Sequence, residues 1–193
     1  GIGWIDAPMS GGPAAARSGT LTVMAGGEEA DLQAAAAVLA DLASNVTRMG
    51  PVGAGQVTKV VNQAIVGAGF IAIAEALHLA EAAGIDAAAL PACLAGGLAD
   101  SALLQRIYPL MQQRAFDPPL GYARQLLKDM KAVKSFSHEL GLELPGVETA
   151  TARFADYVAQ GNAMADIVSI ICLYEQERQL YVLGQVVRLL HYS

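Results

Sequence analysis

The apolar residues change their spacing once along the chain. Up to Met49 they come in short runs. Trp4-Ile5-Asp6 is β-compatible and stops at Pro8 and Gly11-Gly12, Thr20-Leu-Thr-Val-Met24 alternates polar and apolar positions and halts at Gly26-Gly27, and Val46-Thr-Arg-Met49 suits a third strand. Asp31 to Ala43 reads as a helix, with Leu32, Val38, Leu39 and Leu42 as apolar positions and Glu28, Glu29 and Asp31 near its positive N-terminal end. After Gly55 the spacing becomes helical, with Val57, Val60, Val61, Ile65, Phe70, Ile73 and Leu77 running to a stop at Gly84. Helices are then predicted for Ala87 to Ala95, Ser101 to Met111, Leu120 to Leu140, Val147 to Gln160, and Met164 to about Leu190. No strand is expected after Gly55. The chain therefore divides into a small α/β portion, residues 1–52, and an all-α portion, residues 53–193, with no repeat or low-complexity linker between them.

With 193 residues and 54% hydrophobic content, the chain is long and apolar enough for one well-buried domain, or for one domain and part of another. Aromatic residues make up only 6%, while alanine recurs in blocks such as Ala34 to Ala37, a composition that favours closely packed helices over a sandwich or barrel. The mainly α expectation is strengthened. A formal charge of −6 with 12 Lys and Arg offers no continuous basic stripe, so nucleic acid is not an expected partner, although a few local cations leave a small anionic ligand open. Cys93 and Cys172 lie in apolar helical patterns without CxxC or Cys/His clustering, and His78, His138 and His191 share no ligand spacing. Neither a disulfide scaffold nor a metal site is expected. The most apolar stretch, Ala64 to Ala74, falls short of the roughly 20 residues that cross a bilayer, so it reads as a core or subunit-interface helix with no membrane partner. No secretory pattern opens the sequence, and the expected location is cytoplasmic.

Lys59 is the residue with the clearest chemistry. It lies near the start of the long helix, whose dipole disfavours a protonated amine there, and Asn62 and Gln63 follow at i+3 and i+4 near the same face. A lysine of this kind supplies the acid that reduction of a carbonyl needs as negative charge develops on its oxygen. The bland alternative is a lysine snorkelling from an amphipathic helix. Ser10-Gly11-Gly12 offers exposed amides and a hydroxyl for a carboxylate, or is an ordinary turn after a strand. Lys128-Asp129 falls inside a helix, where such a neighbouring pair is usually a solvated face. Gly96-Gly-Leu-Ala-Asp-Ser101 by itself reads as a helix-to-helix turn with Ser101 as N-cap. Gly67-Ala-Gly-Phe-Ile-Ala72 fits a dinucleotide fingerprint in letters only. No strand precedes it, and close helix packing is the better reading.

Taken together, Asp6-Ala-Pro-Met-Ser-Gly-Gly, Gly19-Thr-Leu-Thr-Val-Met-Ala-Gly-Gly27, the run from Gly50 through Gly53, Gly55, Lys59 and Asn62, and Lys128-Asp129-Met130-Lys131 resemble the β-hydroxyacid dehydrogenases, the family of 3-hydroxyisobutyrate dehydrogenase and tartronate semialdehyde reductase. The likeness runs from about Trp4 to about Glu175. Met130 stands where leucine is common, and Gly96 to Ser101 resembles a segment of the tartronate semialdehyde reductase branch, which often has another small residue at Asp100, a resemblance that implies a place at the substrate entrance. The 6-phosphogluconate dehydrogenase and imine reductase architecture is a neighbour, but the Lys59 and Asn62 pattern fits the β-hydroxyacid dehydrogenases better. The resemblance implies an all-helical C-terminal domain, residues 53–193, preceded by a remnant of a Rossmann domain, residues 1–52, without the strand and glycine fingerprint that grip a dinucleotide.

It further implies Lys59 as catalytic general acid/base with Asn62 beside it, Ser10, Gly11, Gly12 and Gln63 as substrate-binding residues, and Lys128 and Asp129 as cofactor-binding residues. The cofactor would be NADP or NAD. The reaction would interconvert a β-hydroxyacid and a small carboxylate-bearing aldehyde or ketone such as tartronate, glyoxylate or succinic semialdehyde. A second reading makes the chain a non-catalytic helical dimerisation module, because the phosphate-gripping loop is not found in it. Either reading expects a homo-oligomer, dimer or tetramer, burying the Ala64 to Ala74 and Val182 to Leu190 faces.

Overall fold

A computed structural model describes residues 2–191, with side chains up to Tyr181. The apolar tail expected to meet a partner, Val182 to Leu190, thus lies outside the described side chains. The chain forms two compact units, Gly1–Ala64 and Ile65–Ser193.

The first unit is built on a small sheet. Strands β1 (Ile5–Asp6) and β2 (Met9–Ser10) both run antiparallel to β3 (Leu21–Gly27), in one unbroken register from Ile5 opposite Gly27 to Ser10 opposite Thr22. They are two halves of one strand. Pro8 has no N–H to give the ladder, so pairing lapses there, yet its carbonyl still accepts from Met24 N at 3.0 Å. Between β2 and β3 lies helix α1 (Gly12–Ser18), a segment read from sequence as loop. Its signals were present but easily taken for turn chemistry: Pro13 suits the first helical turn, alanines follow, and Gly19 closes it in the left-handed conformation. Helix α2 (Glu29–Leu42) returns the chain to β4 (Ala43–Gly50), which pairs parallel with β3 on its other edge. The core here is thin: Leu21, Val23, Ala25 and Ala43, backed by Ala7, Ala15, Leu32 and Leu39.

Helix α3 (Ala54–Ala83) begins in the first unit and continues into the second. By length and composition it is apolar enough to span a bilayer, with a mean hydropathy of 1.7 over its best window, well beyond the short stretch singled out from sequence. Its middle is nonetheless a core element: Phe70, Ile71, Ile73, Ala74 and Leu77 are buried. Around it stand α4 (Leu90–Leu94, after a 3₁₀ turn at Ala87–Ala89), α5 (Ala102–Gln112), α6 (Ala123–Glu139), α7 (Pro145–Tyr157) and α8 (Ile171–His191, after a 3₁₀ turn at Ile167–Ile170). Tyr108, Ile107, Met111, Met130, Phe154 and Leu173 fill the centre. The glycines that mimic a dinucleotide fingerprint are packing contacts. A side chain at Gly67 would come within 2.7 Å of Met130 Sδ, and one at Gly69 within 2.7 Å of Leu103 Cδ2.

One buried carboxylate resets two helix starts from the periodic pattern. α6 begins at Ala123 rather than Leu120, because Ala123 N and Arg124 N donate to Ala165 O and Ala163 O while Tyr122 bridges Asp166. Asp166 is only 4% exposed, and its carboxylate accepts from Val168 N at 2.7 Å and from Leu120 N. This buried cap also delays α8, which starts at Ile171 and not at Met164.

Candidate functional site

The start of α3 is where the chemistry gathers. β4 ends at Gly50, and the chain turns through Pro51 and Val52 to Gly53, whose φ of 97° is open to glycine and strained for other residues. The amides at a helix start have no partner within the helix. Here a residue far back in sequence supplies one: the Asp6 carboxylate accepts from Gly53 N at 2.6 Å and from Gln56 N at 2.8 Å. The Gly53 amide holds the Asp6 carboxyl below the ordinary carboxylate value, burial opposes this, and the Gln56 amide adds to the lowering. Helix and strand can approach this closely because Gly55 has no side chain: a Cβ there would collide with Met24 O and the Asp6 backbone.

Two turns into the helix, Lys59 is half-buried and its Nζ donates to Met9 O at 2.9 Å. The ammonium is thereby tied to the strand that leads into Ser10-Gly11-Gly12. Ser10 is half-buried at the end of β2, Gly11 and Gly12 have φ of 123° and 72°, and space is open where a Gly12 side chain would stand. Farther along α3, Asn62 Nδ2 donates to Gln63 Oε1 at 2.9 Å, so the two amides orient one another. Lys59, Asn62, Gln63 and Ser10 to Gly12 all belong to the first unit.

Sequence reasoning missed Asp6. Its only local sign was its place at the head of the Asp-Ala-Pro-Met-Ser-Gly-Gly run; the contact that matters spans some 47 residues. The Asp6 carboxylate places an anion at the positive end of the helix that carries Lys59.

In the second unit, Lys128 and Asp129 form a neighbouring ion pair at 2.9 Å on α6, with the lysine side chain 79% exposed. Gly96 to Ser101 is a capped turn: Ser101 Oγ accepts from Leu104 N at 3.0 Å, and Asp100 accepts from Gly96 N at 2.8 Å and Gln105 Nε2 at 2.7 Å. The N-cap reading of Ser101 holds. Among the described residues no three His, Cys, Asp or Glu side chains come together to hold a metal. Burial pushes the Cys172 thiol above its ordinary value, which makes it a poor nucleophile. A cavity of about 510 Å³ beside it is lined by Tyr157, Asp166 and Ser169, whose polar atoms are bonded to one another or to backbone, and another of about 460 Å³ lies between α2 and β4.

Comparison with known proteins gives this geometry a context. Residues 53–174 match the family model for the NAD-binding domain of NADP-dependent 3-hydroxyisobutyrate dehydrogenase, and residues 1–50 match that for the NAD-binding domain of 6-phosphogluconate dehydrogenase. Among curated proteins, 2-hydroxy-3-oxopropionate reductase of Escherichia coli is 35% identical over 87% of this chain and 57% of its own length. An uncharacterised oxidoreductase of Bacillus subtilis is 34% identical over 88% of this chain and 59% of its own. The crystal structure of 3-hydroxyisobutyrate dehydrogenase from Salmonella typhimurium matches with a TM-score of 0.80 at 30% identity, over 88% of this chain and 59% of that one. This chain thus spans somewhat under three fifths of the length of these two curated relatives.

Proposed function

Because the chain belongs to the β-hydroxyacid dehydrogenase family, that of 3-hydroxyisobutyrate dehydrogenase, we propose that it carries the substrate-binding and proton-transferring part of an NAD(P)-dependent oxidoreductase. That enzyme interconverts a β-hydroxyacid and a small carboxylate-bearing aldehyde or ketone, such as tartronate, glyoxylate or succinic semialdehyde. The observation that carries the reading is the Lys59 ammonium held on Met9 O, one residue from Ser10-Gly11-Gly12.

NAD or NADP, when bound, supplies or accepts the hydride. The described residues fit only part of such a cofactor: they include no strand, glycine fingerprint and helix for the pyrophosphate, and Gly67 and Gly69 are filled by Met130 and Leu103. Lys128 and Asp129 are the residues we assign to cofactor contact. Ser10 Oγ and the amides of Gly11 and Gly12 hold the substrate carboxylate, with the Gln63 amide beside it. Lys59 Nζ gives a proton to the carbonyl oxygen as negative charge develops there, and takes it back from the hydroxyl in the reverse direction. The Asn62 amide steadies the lysine and the substrate oxygen.

The test is turnover of NADPH or NADH with a panel of small acid aldehydes by the wild-type chain and by Lys59→Ala. Loss of rate by about 10²- to 10⁴-fold is expected of a missing general acid. Undiminished turnover in the variant removes Lys59 from catalysis. A folded wild-type chain with no turnover favours the second reading, a non-catalytic helical dimerisation module. Under both readings the chain self-associates, a proposal prompted by apolar side chains such as Ile65 and Leu79, each 69% exposed, on α3. Light scattering that finds a monomer at micromolar concentration overturns it.

A further inference from the structure

The strand that leads into the Ser10-Gly11-Gly12 turn is fastened to α3 at two places. At the first, the Asp6 carboxylate takes the Gly53 and Gln56 amides. At the second, Met9 O takes Lys59 Nζ. From Gly53 to Lys59 a helix rises about 9 Å, and from Asp6 to Met9 a strand advances about 10 Å. Strand and helix therefore run side by side in matched length, and the first attachment sets the register of the second.

The first attachment also has little room to move. A Cβ on Gly26 of β3 would collide with Asp6 Oδ1 and come within 2.9 Å of Ala54 N, and a Cβ on Gly55 would come within 2.7 Å of Asp6 Oδ2. The carboxylate is wedged between two stretches of bare backbone. A side chain that only capped a helix would need neither glycine. With both oxygens used and both flanks filled, it has one position, and α3 must meet it there.

We infer that Asp6 is a positioning residue: its carboxylate, lodged on the first turn of α3, sets where Lys59 stands against the Met9 to Gly12 segment. This inference rests on the reading of Lys59 as the proton donor for its catalytic meaning, though its geometry does not. Asp6 touches no reacting atom and acts through the lysine. An isosteric amide in its place has one acceptor oxygen and cannot serve both amides, so the helix start shifts and the Lys59 ammonium leaves Met9 O.

The chain contains its own standard for the test, since it has four lysines and the other three, Lys128, Lys131 and Lys134, lie on α6. Trace acetylation of the full chain, read by mass spectrometry, reports each amine. In the wild type Lys59 is expected to react about fivefold more slowly than the exposed Lys131, the worth of one ordinary net hydrogen bond, and in Asp6→Asn to rise to within about twofold of it. The α6 lysines should keep their wild-type rates. A rise at Lys59 alone supports the inference, and an unchanged Lys59 overturns it. Should Asp6→Asn loosen the whole chain and raise all four, the Gln56→Pro variant decides. It removes one donor from the carboxylate at a first-turn position that tolerates proline, and a rise at Lys59 alone or its absence has the same two meanings.

Turnover separates the inference from the catalytic reading. Asp6→Asn should lower kcat by about tenfold or more with KM within about twofold, and should have no further effect on the residual rate of Lys59→Ala, as expected for residues acting as a unit. Equal losses in both backgrounds, or no loss in kcat, overturn positioning while leaving Lys59 catalytic. If Lys59→Ala turns over like the wild type, the catalytic reading falls and the acetylation result still judges the positioning.

Discussion

The two units of this molecule are held together by different means. In the second, Phe70, Ile107, Tyr108, Met130, Phe154 and Leu173 form a continuous buried cluster, and helices close on it through Gly67 and Gly69. Polar contacts there fasten an already packed body, as with Arg114, which bonds Glu81 at 2.9 Å and also Glu175. The first unit has a core of few side chains on a short sheet, and most of β4 is exposed. Its definition comes from backbone meeting backbone at Gly26 and Gly55, and from one carboxylate. The unit that carries Lys59 is therefore the one with the least apolar reserve, so its geometry depends more on individual polar contacts.

The comparison can be broken most forcefully in the second unit. Phe154→Ala opens a cavity beside Phe70, whose ring lies 6.4 Å away edge-on, and should cost about 3–5 kcal/mol in chemical denaturation. A cost below about 1 kcal/mol would mean that the helical core is not the main source of stability. In the first unit, Val23→Ala removes two buried carbons and should cost about 2 kcal/mol. Hydrogen exchange should show the loss in β3 and β4 while α5 and α7 keep their protection; uniform loss would show the two units unfolding as one. Ser101→Ala takes the cap from α5 and should cost about 1 kcal/mol without changing turnover.

The subtlest test is pH. The folded Asp6 carboxyl is held below its unfolded value of about 3.9. Its contribution to stability is then fully present above that pH and disappears as pH falls through the folded value. The stability difference between wild type and Asp6→Asn should be present at pH 6 and shrink toward pH 3 in denaturant midpoints. A difference that stays constant would show that the carboxylate's charge is not what the cap uses.

Much of this was legible in the residues because the signals were local. Alternation marked β3, helical spacing and Gly84 bounded α3, and the serine before α5 announced its cap. Lys59 and the Ser10 turn stand in the runs that carry the family likeness. What could not be read were contacts between distant backbone groups. Met9 offers Lys59 a carbonyl that any residue would provide, and Asp6 meets amides that have no identity in sequence. Helix α1 was lost for a different reason: Gly-Gly-Pro is ambiguous between a turn and a helix start, and only the packing of Ala15 beneath β3 resolves it. The shift of α6 to Ala123 likewise depends on Asp166, which local periodicity cannot anticipate.

The paired fastening at Asp6 and Met9 makes residues 7 and 8 a spacer whose length matters more than its letters. An in-frame codon gained or lost there would turn successive side chains to opposite faces and take either the carboxylate off the helix or the carbonyl off the lysine. In a library of single-codon insertions and deletions, this short stretch should stand out as a blank beside the exposed, forgiving turn at residues 141–143. Evolution would then be free to respell it but not to recount it.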